Sequence, residues 1–204
     1  MGVAIAIPVE RQVSIHWAIN LARLIAPISP NVHIIYRSGA VVDVLRNALV
    51  KDCLNINASH IFWLDSDVLP PPEAIPRLMS HKYPIVSGVY RSKTNAIGAW
   101  MLKGVVDGVK RYSPVSSIAN QVVLADAVGA GCLLTDIRLF KRLPEPWFKW
   151  GILDLDKPGT SEDFYFCEKV FEHTGLKVLV DGHVLANHEG LARVNIHGGL
   201  EDWI

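Results

Sequence analysis

The sequence of 204 residues has no long hydrophobic run, no excess of charge and few cysteines. Its apolar runs are shorter than the roughly 20 residues that cross a bilayer, and its first residues carry no basic cluster, so neither a membrane span nor a signal peptide is expected. Lysine plus arginine number 20, as do aspartate plus glutamate, and such a neutral chain lacks the positive charge that attracts nucleic acid. The three cysteines form no CxxC pair, which favours buried thiols in a reducing, cytoplasmic compartment.

A glycine-rich loop is also missing after the first predicted strand. Val3 to Ile7 is an apolar run that ends at Pro8 and predicts a buried strand. Because no G-x-G-x-x-G and no P-loop follow it, a dinucleotide-binding dehydrogenase and a P-loop enzyme are excluded. The same absence disfavours a sugar-phosphate nucleotidyltransferase, which stays an alternative.

The first 64 residues alternate between strand and helix patterns. Helices are predicted over Gln12 to Ile25, with Ile15, Ile19 and Ala22 at helical spacing, and over Asp43 to Leu54. Strands are predicted over Val32 to Tyr36 and Ile61 to Leu64. This alternation predicts parallel strands joined by helical crossovers.

The pattern changes after Tyr83. Several short strand-like runs follow with few helices, and the last clear helix is predicted over Thr160 to His173. Final strands are predicted over Lys177 to Val180 and Val184 to Ala186. Half of the residues are apolar and no linker or repeat interrupts the chain, so we expect one α/β domain over residues 1–204.

The third predicted strand leads directly into Asp65-Ser66-Asp67. In an extended chain, residues i and i+2 project to the same side about 6.6 Å apart, so the two carboxylates can share one hard cation such as magnesium or manganese. The carboxyl end of a parallel strand is also where open α/β sheets bind ligands. The alternative is a simple turn, because aspartate and serine favour turns and prolines follow.

Further motifs accompany this triplet and resemble the core of GT-A-fold glycosyltransferases of the family-2-like group. In chain order they are Arg46-Asn47, the apolar strand with Asp65-Ser66-Asp67, Val128-Gly129-Ala130-Gly131, Pro146-Trp147-Phe148, Ser161-Glu162-Asp163-Phe164-Tyr165-Phe166-Cys167 and His188-Glu189-Gly190. They occur in the family's order and extend over about three quarters of the chain. Each motif is weak alone, and their combination is what carries the resemblance.

The resemblance implies a single GT-A, Rossmann-like domain with an N-terminal parallel nucleotide-binding half and a mixed-sheet acceptor half. It implies a glycosyltransferase of the hexosyltransferase type that uses Mn²⁺ or Mg²⁺. The donor would be a UDP- or GDP-sugar, and the acceptor hydroxyl would belong to a glycan or a protein. The alternative from another class is a non-catalytic carbohydrate- or nucleotide-binding protein of the same fold. The sequence leaves a homo-oligomer open.

The resemblance also assigns the metal ligands and the base. Asp67 would be the direct metal ligand, Asp65 would contact the ribose or the metal, and His188 would be the third ligand, with His183 as its rival. Asp163 would be the general base, with Glu162 as its catalytic or acceptor-binding neighbour. Glu162 and Asp163 also suit a helix N-terminus, and Thr160 with Asp163 has capping-box spacing, so a purely structural role is the alternative.

The nucleotide contacts follow from the first strand and the second helix. Pro8, Glu10 and Arg11 are expected to border the base, and Arg46 and Asn47 to lie near the nucleotide. The family often has an aromatic residue and an asparagine after this proline, which this chain lacks. A surface arginine is the alternative for Arg46 because its helix is amphipathic. Finally, Trp147 and Trp150 are predicted either to stack an acceptor sugar or to pack in the core.

Overall fold

The computed structural model describes residues 2–9, 12–92, 96–106, 108–151, 160–190, 193–194 and 200–201. Its helices are α1 Ile15–Ile25, α2 Val42–Asn55, α3 Ala74–Ser80, α4 Ile137–Arg142 and α5 Glu162–Thr174. Its strands are β1 Val3–Val9, β2 Val32–Ser38, β3 His60–Leu64, β4 Val68–Leu69, β5 Ile85–Val89, β6 Ala99–Val106, β7 Val109–Pro114, β8 Val122–Ala125, β9 Ala127–Val128, β10 Cys132–Asp136, β11 Val178–Leu185, β12 Asn187–His188, β13 Arg193–Val194 and β14 Leu200–Glu201. None of the described helices is both long and apolar enough to cross a membrane.

Seven strands form the main sheet, in the order β2-β1-β3-β10-β5-β11-β8. β1 lies between β2 and β3 and is parallel to both. β10 runs antiparallel to β3 and β5, β11 is parallel to β5, and β8 is an antiparallel edge strand. The predicted α/β class is confirmed, and the sheet is mixed.

Both faces of β1 are buried, and the strand is apolar along its length. Ala4 and Ala6 belong to the core cluster that includes Leu49 of α2. Ile5 lies in a second cluster on the opposite face, with Trp17 of α1. The small side chains therefore face one helix layer and the large ones the other, which explains why β1 reads as a continuous apolar run rather than an alternating one.

The predicted helix α1 forms, but the isoleucines whose spacing indicated it are not its buried residues. Ile15 and Ile19 are 69% and 45% exposed, whereas Trp17 and Leu24 are buried. The Trp17 indole donates a hydrogen bond of 2.9 Å to the Asp65 carbonyl, so burial of this large ring sets the rotation of the helix. The other predicted helices and strands of the first half form with small shifts at their ends.

Two smaller sheets complete the fold. A hairpin of β6 and β7 adds β9, and β12 joins β4, β13 and β14. The pairing of β12 with β4 sets His188 opposite Val68. This contact brings a residue from near the end of the chain next to the Asp65-Ser66-Asp67 triplet. The sequence patterns missed β7 and α4, and the two strands predicted near Lys177 and Val184 are one continuous strand, β11.

Candidate functional site

A cavity of about 690 Å³ opens where β1, β2 and β3 end and α2 begins. The polar part of its lining consists of Arg46, Asp65, Ser66, Asp67 and Glu162. The mainly apolar part consists of Pro8, Gly39, Ala40, Val41, Val42, Leu45 and Trp150. Its position at the carboxyl ends of parallel strands is the place where open α/β sheets bind ligands.

Arg46 is the centre of the polar part of the lining. It is only 1% exposed, and its Nη2 atom donates a hydrogen bond of 2.8 Å to Asp65. Its Nε atom lies 3.4 Å from Glu162, and its Nη2 atom lies 3.7 Å from Asp163. One guanidinium thus holds three carboxylates from two distant segments, which excludes the alternative of a surface arginine.

Burial and the carboxylates act in opposite directions on Arg46. Burial lowers the pKa of its guanidinium, but the negative charges of Asp65, Asp163 and Glu162 together raise that pKa above its ordinary value. The guanidinium carbon also lies 5.6 Å from the ring centre of Trp63, which gives the cation an aromatic neighbour. Arg46 is therefore a fixed positive charge among more numerous negative ones.

Asp163 is held in a different electrostatic state. Burial raises the pKa of its carboxyl well above the ordinary value, and the charges of Glu162 and Asp65 add to that rise while Arg46 opposes it. Its Oδ1 atom is buried and has no hydrogen-bond partner in the described part of the chain. Ser161 is the N-cap of α5 and makes no side-chain cap bond, so the predicted capping box with Thr160 does not form. The helix cap therefore does not engage the carboxyl of Asp163, whose Oδ1 atom lies 3.7 Å from Arg46 Nη2, and Asp163 is not among the residues that line the cavity.

Asp67 and His188 form the second polar contact at this edge. The distance between Asp67 Oδ2 and His188 Nε2 is 3.2 Å. His188 Nδ1 lies 2.8 Å from the Arg91 carbonyl oxygen, which can only accept, so Nδ1 carries the proton. The Nε2 atom therefore faces Asp67 with the geometry that a metal-ligating imidazole has when a carbonyl fixes its tautomer.

The backbone keeps these two side chains together. The Glu189 amide donates a hydrogen bond of 2.6 Å to the Asp67 carbonyl, next to the β4–β12 pairing. The Glu189 carboxylate accepts hydrogen bonds from the Ser14 hydroxyl at 2.8 and 3.0 Å. Ser14 in turn caps α1 by accepting from the Trp17 amide. The site edge is thus tied to the start of α1.

The residues present fit a divalent cation through two protein ligands. Among the described residues, no three His, Cys, Asp or Glu side chains are arranged around one metal position. Two ligands at right angles on a cation, with bonds of about 2.1 Å, lie about 3 Å apart. The 3.2 Å between Asp67 and His188 matches this spacing. Magnesium-type sites often complete their coordination with water and substrate phosphate oxygens, so a pair of ligands is sufficient.

The glycines before β10 allow a close approach of three segments. A Cβ atom on Gly131 would lie 2.8 Å from Asp65 Oδ2 and 3.0 Å from the Tyr90 hydroxyl oxygen. The Gly131 amide donates a hydrogen bond of 3.1 Å to that hydroxyl. Tyr90 also packs edge-on against the His188 ring, with centres 5.4 Å apart. Gly131 and Tyr90 therefore support both Asp65 and His188.

Asn47 is not among the residues that line the cavity, and its side-chain amide is engaged within the protein. Its Nδ2 atom donates to the carbonyls of Asp43 and Phe148, at 2.8 and 2.7 Å. Its Oδ1 atom accepts from the amides of Trp147 and Phe148, at 2.9 and 3.2 Å. These four bonds use the whole hydrogen-bonding capacity of the amide, which holds the segment 147–148 against α2.

The other predicted site residues fall into three groups. Pro8 lines the cavity, whereas Glu10 and Arg11 lie outside the described residues. His183, the rival of His188, contacts Asp181 at 2.9 Å instead. Trp147 is a core residue, 4% exposed, and Trp150 is the tryptophan that lines the cavity.

Two contacts of the site could not be predicted from the sequence. The Trp17 indole fixes the Asp65 carbonyl from 48 residues away, and Phe148 lies under Arg46 with 5.7 Å between the guanidinium carbon and the ring centre. Neither contact follows from local spacing. Val41 and Val42 belong to the apolar lining of the cavity, and the only sequence feature that indicates them is the predicted start of α2.

No protein-family model matches the chain, and no curated protein matches it. Among solved structures, the chain is similar to A197 from STIV, with a TM-score of 0.69 and 16% sequence identity. The similarity covers 100% of this chain and 96% of that one. At this level of identity, the likeness concerns the fold alone.

Proposed function

We propose that this chain is a metal-dependent glycosyltransferase with a single GT-A domain, which moves a sugar from a nucleoside-diphosphate donor to an acceptor hydroxyl. The observation that carries the proposal is the contact of 3.2 Å between Asp67 and His188 at the edge of a cavity that also contains Asp65 and Glu162. The motif resemblance and the mixed α/β fold support it.

Asp67 and His188 would hold the Mn²⁺ or Mg²⁺ ion, with Asp65 beside them. A divalent ion supplies Lewis-acid stabilisation of the negative charge that develops on a departing diphosphate. The excess of carboxylates over cations in the polar part of the lining supports cation binding, because it is a poor environment for a bare phosphate.

Arg46 would act on the carboxylates rather than on the donor. It is 1% exposed and bonded to Asp65, so it orients that side chain and offsets part of the repulsion between Asp65 and Glu162. A fixed cation among carboxylates needs no reorganisation during the reaction, which is the advantage of a preorganised site.

Asp163 would be the general base that takes the proton of the acceptor hydroxyl. Its raised pKa makes its carboxylate a stronger base than an ordinary aspartate once it has lost its proton. The Oδ1 atom accepts no hydrogen bond from the described residues, although Arg46 Nη2 lies 3.7 Å away, and this supports the role because a carboxylate engaged in a helix cap would be less basic. A positioned base such as Asp163 favours inversion at the transferred carbon.

The apolar part of the cavity lining would receive the nucleoside. It includes Pro8, Val41, Leu45 and Trp150, and Trp150 is 46% exposed, so its ring has free area for stacking. A cavity of about 690 Å³ is in the range of small-molecule sites and is large enough for a nucleotide sugar.

The experiment is a turnover assay for release of nucleoside diphosphate from UDP- and GDP-sugars, with Mn²⁺ and a panel of glycan acceptors. We expect Asp163→Asn to lower kcat by about 10²- to 10⁴-fold while the donor still binds. If Asp163→Asn keeps the turnover of the wild type, Asp163 is not the general base. Donor binding without turnover in the wild type, with every acceptor, would favour a non-catalytic binding protein of the same fold.

A further inference from the structure

A second cleft, of about 400 Å³, lies between α1 and the end of β4. His16, Asn20 and Arg23 line it at positions i, i+4 and i+7 of α1, so they share one face of the helix. The opposite wall is formed by Pro70 and by Asn187 of β12. The rotation of α1 that buries Trp17 is what turns this polar face towards the cleft.

The chemistry of this cleft differs from that of the main cavity. Arg23 is exposed and forms no ion pair with any described residue, and the Asn187 amide has no hydrogen-bond partner among them. The described residues that line the cleft include no carboxylate. A guanidinium offers donors to an anion, and an amide both donates and accepts, so the pair suits an anionic group next to a hydroxyl.

The wall of the cleft is fixed rather than collapsible. The Asn20 Nδ2 atom donates a hydrogen bond of 2.9 Å to the Pro70 carbonyl, which ties α1 to the chain after β4. Pro70 and Pro71 stiffen that segment because each proline fixes its φ angle. A preformed wall lowers the entropy that a ligand must lose on binding.

The cleft and the Asp67–His188 pair lie on opposite faces of one strand pair. In β12, successive side chains point to opposite sides, and Asn187 is aligned with Leu69 while His188 is aligned with Val68. Asn187 and Leu69 line the cleft, and His188 contacts Asp67. The cleft therefore lies on the other side of β12 from the Asp67–His188 pair.

We propose that this cleft binds the anionic group of a small saccharide, a phosphate or a carboxylate, through Arg23 and Asn187. The sugar hydroxyls would meet the amide, and the anion would meet the guanidinium. The proposal does not depend on the glycosyltransferase activity, because it needs neither a divalent cation nor a nucleotide.

Isothermal titration calorimetry without divalent cations tests it, with glucose 6-phosphate, glucuronate, inorganic phosphate and neutral glucose as probes. We expect glucose 6-phosphate or glucuronate to bind with a Kd of about 1 mM or tighter, and neutral glucose to bind at least tenfold more weakly. Which of the two anionic sugars binds more tightly identifies the anion. If inorganic phosphate binds as tightly as both sugars, the saccharide part of the proposal is wrong.

The variants locate the binding. Arg23→Ala removes an exposed side chain and should weaken binding at least tenfold, and Asn187→Asp should do the same because it adds a negative charge at nearly the same size. Arg111→Ala is the matched control, since Arg111 is an exposed arginine on β7 outside the cleft. The proposal would be overturned if Arg23→Ala and Arg111→Ala lost the same affinity for the anionic sugars, or if no anion bound to the wild type.

Discussion

The charge cluster around Arg46 predicts an unusually large effect of one substitution on stability. Arg46→Met keeps the length and apolar stem of the side chain but removes the charge that faces Asp65, Glu162 and Asp163. Arg46 is 1% exposed and Glu162 is 6% exposed, so water cannot replace the lost partner for at least one carboxylate. Removal of one member of a buried ion pair destabilises by about 3–5 kcal/mol, and we expect a loss of that size.

Arg37→Met is the matched control. Arg37 makes two hydrogen bonds of 2.8 Å to Asp52, shorter on average than the contacts of Arg46. The Arg37 side chain is 52% exposed, however, and exposed pairs contribute less than about 1 kcal/mol. The two variants therefore separate the effect of burial from the effect of hydrogen-bond length.

The assay is urea unfolding followed by tryptophan fluorescence, with equal m-values as the condition for comparing midpoints. Adding Glu162→Gln to Arg46→Met should recover about 1–3 kcal/mol, because the uncompensated buried carboxylate is removed. If Arg46→Met and Arg37→Met lose the same free energy of unfolding within about 1 kcal/mol, the description of Arg46 as the buried centre of the cluster is wrong.

Three further predictions follow from the site. The pKa of Asp163 is raised, so the acid limb of the kcat profile should lie at a higher pH than it would for an ordinary aspartate. Glu162→Gln removes a neighbouring negative charge and should therefore move this acid limb to lower pH. Asn47→Ala removes four hydrogen bonds and should lower the free energy of unfolding by about 2–4 kcal/mol, measured by urea unfolding, without changing the acid limb. Gly131→Ala places a methyl group 2.8 Å from Asp65 Oδ2, so it should weaken Mn²⁺ binding at least tenfold, measured by calorimetry. The control Gly108→Ala lies in a turn where a Cβ atom meets no atom of the described residues within 4 Å, and it should leave metal affinity unchanged.

The first half of the fold could be predicted because its signals are local. Apolar runs such as Val3 to Ile7 and the helical periodicity between them identify parallel strands with helical crossovers. The triplet Asp65-Ser66-Asp67 could be placed at a strand end for the same reason, but it forms a turn rather than extended chain, with the Val68 amide donating a hydrogen bond of 3.2 Å to the Asp65 carbonyl. In the second half, β7 was missed because the Lys110–Pro114 segment is polar and carries no strand-like apolar alternation.

The interactions within the site could be predicted only in part. Motif order suggested that Arg46, Asp65 and Glu162 belong together. The burial of Arg46 could not be predicted, because its partners Asp65 and Glu162 lie 19 and 116 residues away in the chain and no local pattern contains such contacts. The resemblance placed Asn47 near the nucleotide together with Arg46. Consecutive helical residues point in directions about 100° apart, and the Asn47 amide bonds to Phe148, a contact that the motif does not indicate. The spacing of Ile15 and Ile19 indicated the helix α1 but not its buried face, which contains Trp17 instead.

The central claim is that Asp67 and His188 hold a divalent cation that binds a nucleotide sugar, and thermal unfolding in the presence of ligand tests it most directly. With donor at about 100 times its Kd, mass action stabilises the folded state by about 2.7 kcal/mol, which raises Tm by about 5–10 °C for a domain of this size. We predict this rise for at least one of UDP-glucose, UDP-N-acetylglucosamine and GDP-mannose with Mn²⁺ present, its loss without Mn²⁺, and its loss in Asp67→Asn but not in the control Asp52→Asn. An equal rise without Mn²⁺, an unchanged rise in Asp67→Asn, or no rise with any of these donors would contradict the claim.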